Sequence, residues 1–179
     1  GVDVLVARGG EGGGHGRDAV ATLPLLQAVL DDVDLPVLAA GGIATARGLA
    51  AVLAAGAVGA WVGTAFIACD ESAYDEARRQ GAVEAGLDST VYTTVFDIGR
   101  GSPWPSEFGG RAVRNAFSDT WYGRADELLA DPVHSTESVL WAGQAVGLVH
   151  ARRPAGDVVA DLAGAEGLLA EVCRGVTRG

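Results

Sequence analysis

The first part of the chain alternates between short apolar runs and stretches with helical periodicity. A continuous apolar run is typical of a strand that is buried on both faces of a parallel sheet. Such runs predict three strands, at residues 2–7, 37–40 and 60–62. The third strand is interrupted at Gly63-Thr64 and is expected to resume over residues 65–67.

Helical patterns fill the two gaps between these strands. Thr22 is expected to cap a helix that runs to Leu30, and Thr45 a second helix over residues 46–55. Strands and helices alternating in this order follow the βαβ rhythm of a parallel α/β fold. In such folds the chemistry collects in the loops at the carboxyl ends of the strands.

After Ile67 the pattern is less regular. It predicts an exposed helix over residues 70–86, a strand over 90–96, an irregular lid-like segment over 99–124, a helix over 135–149 and an amphipathic helix over 158–172.

Composition narrows the classes of function. Of the 179 residues, 49% are hydrophobic and 20% are charged, which is typical of a globular domain. A net charge of −10 argues against binding to nucleic acid or to an anionic membrane. No apolar stretch reaches the roughly 18 residues of a membrane span, and no signal peptide is visible. Cys69 and Cys173 lack metal-ligand spacing, so we expect a reducing, cytoplasmic setting and no metal site.

The glycine turn, residues 9–16, carries the most candidate chemistry. It reads Gly-Gly-Glu-Gly-Gly-Gly-His-Gly and follows the first strand directly. Glycine lets the main chain approach a ligand closely, and histidine can move a proton near neutral pH. His15 is therefore a candidate general base, although a flexible loop with an incidental histidine explains the pattern equally well. Glu11 is a candidate to orient His15 or to line a pocket, and equally an exposed carboxylate.

Gly41-Gly42 and Gly63-Thr64 follow the second and third predicted strands. Their N–H groups, together with the Thr64 hydroxyl, predict a phosphate cradle, with tight strand–helix turns as the competing interpretation. In β/α barrels the loops after the last two strands often bind phosphate.

Other polar residues are weaker candidates. Arg111, Arg114 and Asn115 could close over an anionic ligand, but we favour a structural role for them. Gln144, on a predicted helix, is a candidate to reach the pocket.

In order and spacing, much of the chain resembles the nitronate monooxygenases, formerly called 2-nitropropane dioxygenases. The resemblance covers nearly the whole sequence and is carried by the glycine turn, Thr22-Leu23-Pro24-Leu25, residues 36–44, Gly63-Thr64-Ala65-Phe66, residues 110–115 and residues 141–148. It implies an α/β fold of the FMN-binding (β/α)8 TIM-barrel type, with the three strands as the sixth, seventh and eighth.

The resemblance also implies roles for individual residues. His15 corresponds to the catalytic base, which helps to remove the proton α to the nitro group. The implied FMN-binding residues are Gly13, Gly14, Gly41, Gly42, Gly63 and Thr64. The implied reaction oxidises a nitroalkane or alkyl nitronate with O2 to a carbonyl compound and nitrite.

On this resemblance the chain divides into four parts. These are the C-terminal part of the barrel at residues 1–69, a post-barrel helix and strand at 70–98, an irregular lid-like segment at 99–125, and C-terminal helices that pack on the barrel at 126–179.

A full barrel takes about 250 residues. The chain also lacks methionine and begins next to a predicted strand. We therefore expect it to be the C-terminal part of a longer protein. Three strands leave an open apolar edge, so the isolated chain is expected to be inactive and poorly stable unless another chain supplies the first half. The expected partners are a complementing N-terminal half or further copies in a homo-oligomer.

Two other functions stay open. One is a flavin-dependent enoyl-acyl-carrier-protein reductase, which shares the glycine–histidine turn and uses NAD(P)H. The long segment after Gly99 resembles the monooxygenases more closely. The other is a phosphate-binding fragment without turnover.

Overall fold

The computed structural model describes residues 1–176. The strands are β1 (Leu5–Arg8), β2 (Gly14–His15), β3 (Val37–Ala40), β4 (Gly59–Trp61), β5 (Thr90–Thr93) and β6 (Gly110–Val113). The α-helices are α1 (Thr22–Asp32), α2 (Ala46–Ala54), α3 (Glu76–Glu84), α4 (Val95–Gly99), α5 (Ala116–Trp121), α6 (Ala125–Ala130), α7 (Ala155–Ala163) and α8 (Ala165–Val176). Thr64–Phe66 and Gln144–Leu148 form 3₁₀ turns.

The parallel sheet has the order β1-β3-β4, so its strands lie in the order in which they occur along the chain. Ala39 pairs with Ala7 of β1 and with Ala60 of β4. As the central strand, β3 is the most deeply buried of the three. Its continuous apolar run fits a strand whose side chains are buried on both faces of the sheet. Its carboxyl end leads into Gly41-Gly42, as the sequence predicts.

Helices α1 and α2 cover one face of this sheet. Leu26 of α1 is fully buried and Val52 of α2 is nearly so, and both belong to one cluster with Val37 and Ala39. The predicted cap of α2 is confirmed, because the Thr45 hydroxyl accepts a 3.2 Å hydrogen bond from the Gly48 N–H.

The second sheet is antiparallel and has the order β2-β6-β5. Gly14 pairs with Arg111, and His15 pairs with Gly110. A pairing between the glycine turn and a strand so far along the chain was not predicted. It fixes the histidine backbone to the later half of the molecule.

Three expectations for the first part of the chain need correction. The first strand begins at Leu5 rather than at residue 2. Thr22 is the first residue of α1 and does not cap it. Residues 65–67 do not continue the third strand, because the chain turns and the Phe66 N–H bonds back to the Gly63 carbonyl at 2.9 Å.

Further corrections concern the later elements. The exposed helix predicted over residues 70–86 is confined to α3. The predicted strand 90–96 ends at Thr93 and passes into α4. The segment 99–124 is less irregular than expected, since it contains β6 and α5. The final helix is divided into α7 and α8 at Gly164.

The helix predicted over residues 135–149 is wrong, because only the 3₁₀ turn Gln144–Leu148 forms there. This segment packs backbone against backbone. A Cβ on Gly143 would lie 2.4 Å from the Glu11 carbonyl oxygen, and one on Gly147 would lie 2.3 Å from the Leu87 nitrogen. An α-helix with ordinary side chains could not approach so closely. Within residues 1–176 no helix combines the length and apolarity needed to cross a membrane.

The burial of Leu26 gives a test of this packing. We expect Leu26→Ala to lower the free energy of unfolding by about 2–5 kcal/mol, because it removes a fully buried side chain and leaves a cavity. Leu23→Ala, on the same helix at 44% exposure, should change it by less than about 1 kcal/mol. Urea denaturation followed by circular dichroism compares the two, and equal losses would contradict the described orientation of α1.

Candidate active site

The glycine turn wraps around the side chain of Arg8, the last residue of β1. Its Nη2 lies 2.6 Å from the carbonyl oxygen of Gly12, 3.2 Å from that of Gly13 and 3.0 Å from that of Gly14. Burial, and then the positive charge of Arg111, lowers the pKa of the Arg8 guanidinium, which nonetheless stays charged at physiological pH. The turn is therefore an ordered structure around a cation rather than a flexible loop.

Glycine is required in this turn where main chain packs against main chain. A Cβ at residue 10 would lie 2.4 Å from the Asp18 carbonyl oxygen, and one at residue 13 would lie 2.5 Å from the Gly143 nitrogen. Gly14 has φ +75°, in the left-handed region that favours glycine.

The antiparallel sheet holds the same turn from the other side. The Nε of Arg111 donates a 2.7 Å hydrogen bond to the Gly10 carbonyl. The Tyr92 hydroxyl donates to the Gly16 carbonyl at 2.7 Å and accepts from the Gly109 N–H at 2.9 Å. These contacts support the structural role favoured for Arg111.

The side chain of His15 contacts two indoles and one carboxylate. Its Nε2 lies 2.9 Å from Oδ2 and 3.0 Å from Oδ1 of Asp97. The imidazole stacks on Trp104 with a centroid distance of 4.0 Å and lies tilted against Trp141 at 4.6 Å. The histidine side chain is 23% exposed and that of the aspartate 10%.

Asp97 is the functional candidate that sequence reasoning missed. It stands in α4, directly after the predicted strand 90–96 and before the predicted irregular segment that begins at residue 99. One available signal was a lone carboxylate in the apolar run Val95-Phe96-Asp97-Ile98, since a buried charge needs a partner.

Glu11 does not orient His15. Its Oε2 accepts hydrogen bonds from the Thr22 N–H at 2.8 Å and from the Thr22 hydroxyl at 2.7 Å. The carboxylate thus holds the start of α1 against the glycine turn, and this explains why Thr22 is buried instead of capping its helix.

The two predicted phosphate loops lie side by side at the ends of β3 and β4. Gly41 and Gly42 have φ of +105° and +72°. A Cβ at Gly63 would meet no heavy atom within 4 Å. In the part of the chain that the structure describes, the N–H groups of Gly42, Gly63 and Thr64 donate to no protein acceptor. They are therefore available to a ligand.

Thr64 connects this cradle to the C-terminal segment. Its hydroxyl oxygen accepts a 2.9 Å hydrogen bond from the Gly143 N–H, so the hydroxyl proton remains available for donation. The next residue, Gln144, donates its N–H to the Glu11 carbonyl at 2.9 Å.

A cavity of about 660 Å³ joins these parts, which is within the usual range of about 300–1,000 Å³ for cofactor sites. The predicted cofactor-binding residues all line it: Gly13, Gly14, Gly41, Gly42, Gly63 and Thr64. His15 does not line it directly, but its neighbour Trp141 does. Gln144 is exposed and lies outside this lining.

The role of Arg8 can be tested by removing its charge. We expect Arg8→Met to lower the free energy of unfolding by about 2 kcal/mol, because three carbonyl groups of the turn lose their donor. Arg47→Met, at an exposed position, serves as the matched control and should be within about 0.5 kcal/mol of the parent. Thermal and urea unfolding of both variants make the comparison. Equal stability of both would show that the turn does not depend on the guanidinium.

Comparison with known proteins shows the family of the chain. The sequence matches the nitronate monooxygenase family over residues 1–164. A nitronate monooxygenase of Neurospora crassa is 35% identical over 181 aligned positions, covering 90% of this chain and 48% of the relative. The chain thus spans about half the length of the curated relatives it matches.

Solved structures give the same result for the fold. FabK from Thermotoga maritima is 29% identical with a TM-score of 0.78, over 98% of this chain and 58% of its own. A nitroalkane oxidase from Streptomyces ansochromogenes is 32% identical with a TM-score of 0.72, over 94% of this chain and 54% of its own. Both are TIM-barrel enzymes, and the predicted fold class is confirmed as α/β, consistent with part of a (β/α)8 barrel.

Proposed function

The chain belongs to the nitronate monooxygenase family, and we propose that it carries the phosphate cradle and the base of an FMN-dependent oxidoreductase. The proposed reaction is the oxidation of an alkyl nitronate or nitroalkane by O2 to a carbonyl compound and nitrite. Family membership implies a flavin, and the choice of FMN is part of the proposal. The single observation that carries it is the meeting of all six predicted cofactor residues in one cavity.

The cradle suits the terminal phosphate of FMN. Gly42, Gly63 and Thr64 offer N–H donors from two neighbouring loops, and the Thr64 hydroxyl adds another. Because these donors belong to strand ends that are fixed by the sheet, little ordering is needed on binding. When bound, FMN supplies the redox chemistry by accepting electrons from the nitronate.

We assign His15 the role of general base. A neutral nitroalkane must lose the proton from the carbon next to its nitro group before it becomes a nitronate. A positioned imidazole performs such a transfer near neutral pH. The indoles of Trp104 and Trp141 contact the ring and restrict its orientation.

Replacing the proposed base should affect turnover of the neutral nitroalkane and of the nitronate differently. In the complete FMN-loaded protein, with the N-terminal half of the barrel supplied, we expect His15→Ala to lower turnover of neutral nitroethane by about 10²- to 10⁴-fold. Oxidation of the preformed nitronate should change little, since that anion has already lost its proton. Oxygen uptake measures both rates, and the flavin spectrum checks that the cofactor stays bound.

His150→Ala is the matched control, because this histidine is exposed and outside the cavity lining. Undiminished turnover of nitroethane by His15→Ala would reject His15 as the base. If the parent protein consumes NADH with an enoyl thioester and takes up no oxygen with a nitronate, it is instead a flavin-dependent enoyl-acyl-carrier-protein reductase.

The cradle can be tested independently of turnover. We expect Gly63→Ala to raise the Kd of FMN by about tenfold, equivalent to about 1.4 kcal/mol, because the new methyl group occupies space next to the phosphate donors. Its fold should persist, since no protein atom lies within 4 Å of the added Cβ.

Quenching of flavin fluorescence gives the Kd, and thermal unfolding reports the fold. Gly156→Ala also adds a methyl group in open space, but on α7 and away from the cavity. FMN should bind this control as it binds the parent. An unchanged Kd for Gly63→Ala would remove Gly63 from the cradle.

A further inference from the structure

Asp97 is a buried carboxylate that the proposed reaction does not use. Its side chain is 10% exposed and follows two fully buried residues of α4, Val95 and Phe96. Among residues 1–176, no side chain other than His15 donates a hydrogen bond to this carboxylate. A buried carboxylate needs a hydrogen-bonding partner, and for Asp97 on α4 this partner is His15.

The contact fixes which ring nitrogen carries hydrogen. A carboxylate can only accept hydrogen bonds, so the Nε2 that lies 2.9 and 3.0 Å from its oxygens must carry the hydrogen. In neutral imidazole the other nitrogen, Nδ1, then holds the lone pair. Because a general base accepts a proton at its lone pair, Nδ1 is the atom that accepts the proton if His15 acts as the proposed base.

The indoles restrict the alternative ring orientation. Trp104 lies nearly parallel to the imidazole, with an interplanar angle of 28°, and Trp141 covers it at 45°. Rotation of the ring would have to displace the Trp104 stack and break both contacts to the carboxylate. The orientation is therefore set jointly by Asp97 and by the two indoles.

We propose that Asp97 is a positioning residue that holds His15 in its Nε2–H tautomer, so that Nδ1 takes the proton from the substrate. This proposal rests on the role of His15 as base. In the step, the substrate C–H bond breaks, its electron pair stays on the nitronate, and the proton forms an N–H bond at Nδ1. The imidazolium keeps its Nε2–H bond to Asp97, whose negative charge stabilises it. The added proton leaves to solvent before the next turnover.

Nitrogen NMR of the ring tests the tautomer without turnover. With ¹⁵N-labelled histidine, we expect the neutral ring of His15 in the parent protein to show a protonated Nε2 and an unprotonated Nδ1. His15→Ala assigns the signals by their loss. In Asp97→Asn the carboxamide can either accept or donate, so the tautomers should mix. A protonated Nδ1 in the neutral ring of the parent protein would overturn the proposal, whatever the rates are.

Kinetics supply the second readout. In the complete FMN-loaded protein, with the N-terminal half of the barrel supplied, Asp97→Asn should lower kcat for neutral nitroethane by about 100-fold with KM changed less than about threefold. Turnover of preformed nitronate should stay within about twofold. Asp97→Glu keeps the acceptor and should recover most of the lost kcat. Asp126→Asn, at an exposed position on α6, should match the parent.

The kinetic results distinguish a failure of the positioning role of Asp97 from a failure of the proposed function on which it rests. An Asp97→Asn protein with full kcat on nitroethane, beside an inactive His15→Ala, overturns the positioning role and leaves the base in place. Loss of nitronate turnover in Asp97→Asn as severe as the loss on nitroethane shows general damage and also overturns it. If His15→Ala remains active on nitroethane, the proposed function itself fails.

Discussion

The hydrogen bonds from Arg8 to three successive carbonyl groups of the glycine turn are the interaction on which the site depends. Without a side chain to pack, a glycine-rich segment loses much conformational entropy on folding and has only backbone groups with which to offset that loss. Carbonyl oxygens that point inward must find donors, and one planar guanidinium serves three of them. Fixing the turn also fixes the positions of the residues within and next to it. Gly13 and Gly14 become part of the cavity wall, and His15 continues as a strand residue paired with β6.

The site is assembled from two layers with different tasks. The parallel sheet supplies backbone: its strand ends carry the positive φ angles of Gly41 and Gly42, and the residues after these strands line a common cavity. The antiparallel sheet and α4 supply side chains: Tyr92 and Arg111 hold the turn, and Asp97 meets the histidine. In the proposed function, the main chain of the parallel sheet holds the phosphate of the cofactor. The proposed proton transfer depends instead on side chains of the antiparallel sheet and α4, which carry His15 and Asp97.

Local signals in the sequence predict the order of strands and helices in the parallel sheet, although not every boundary, and they do not predict this second layer. The apolar run of β3, the cap at Thr45 and the glycines after the strands each express a preference within a few residues, and the structure agrees with them. The pairing of His15 with Asp97 joins residues 82 positions apart, and no periodicity encodes such a contact. Thr22 was misread for a related reason, since its hydroxyl is directed to Glu11 of the glycine turn. Residues 135–149 have helical periodicity, but close packing of Gly143 and Gly147 against backbone overrides it.

The contact between Gly13 and Gly143 has a consequence for how the cavity forms. A Cβ on residue 13 would lie 2.5 Å from the nitrogen of residue 143, so the two main chains touch with no side chain between them. One wall of the cavity therefore exists only after the two distant parts of the chain have met. Closing so long a loop is entropically unfavourable. The cavity wall at Gly13 therefore depends on the tertiary fold as a whole, whereas the turns at Gly41-Gly42 and Gly63-Thr64 follow directly from the ends of their own strands.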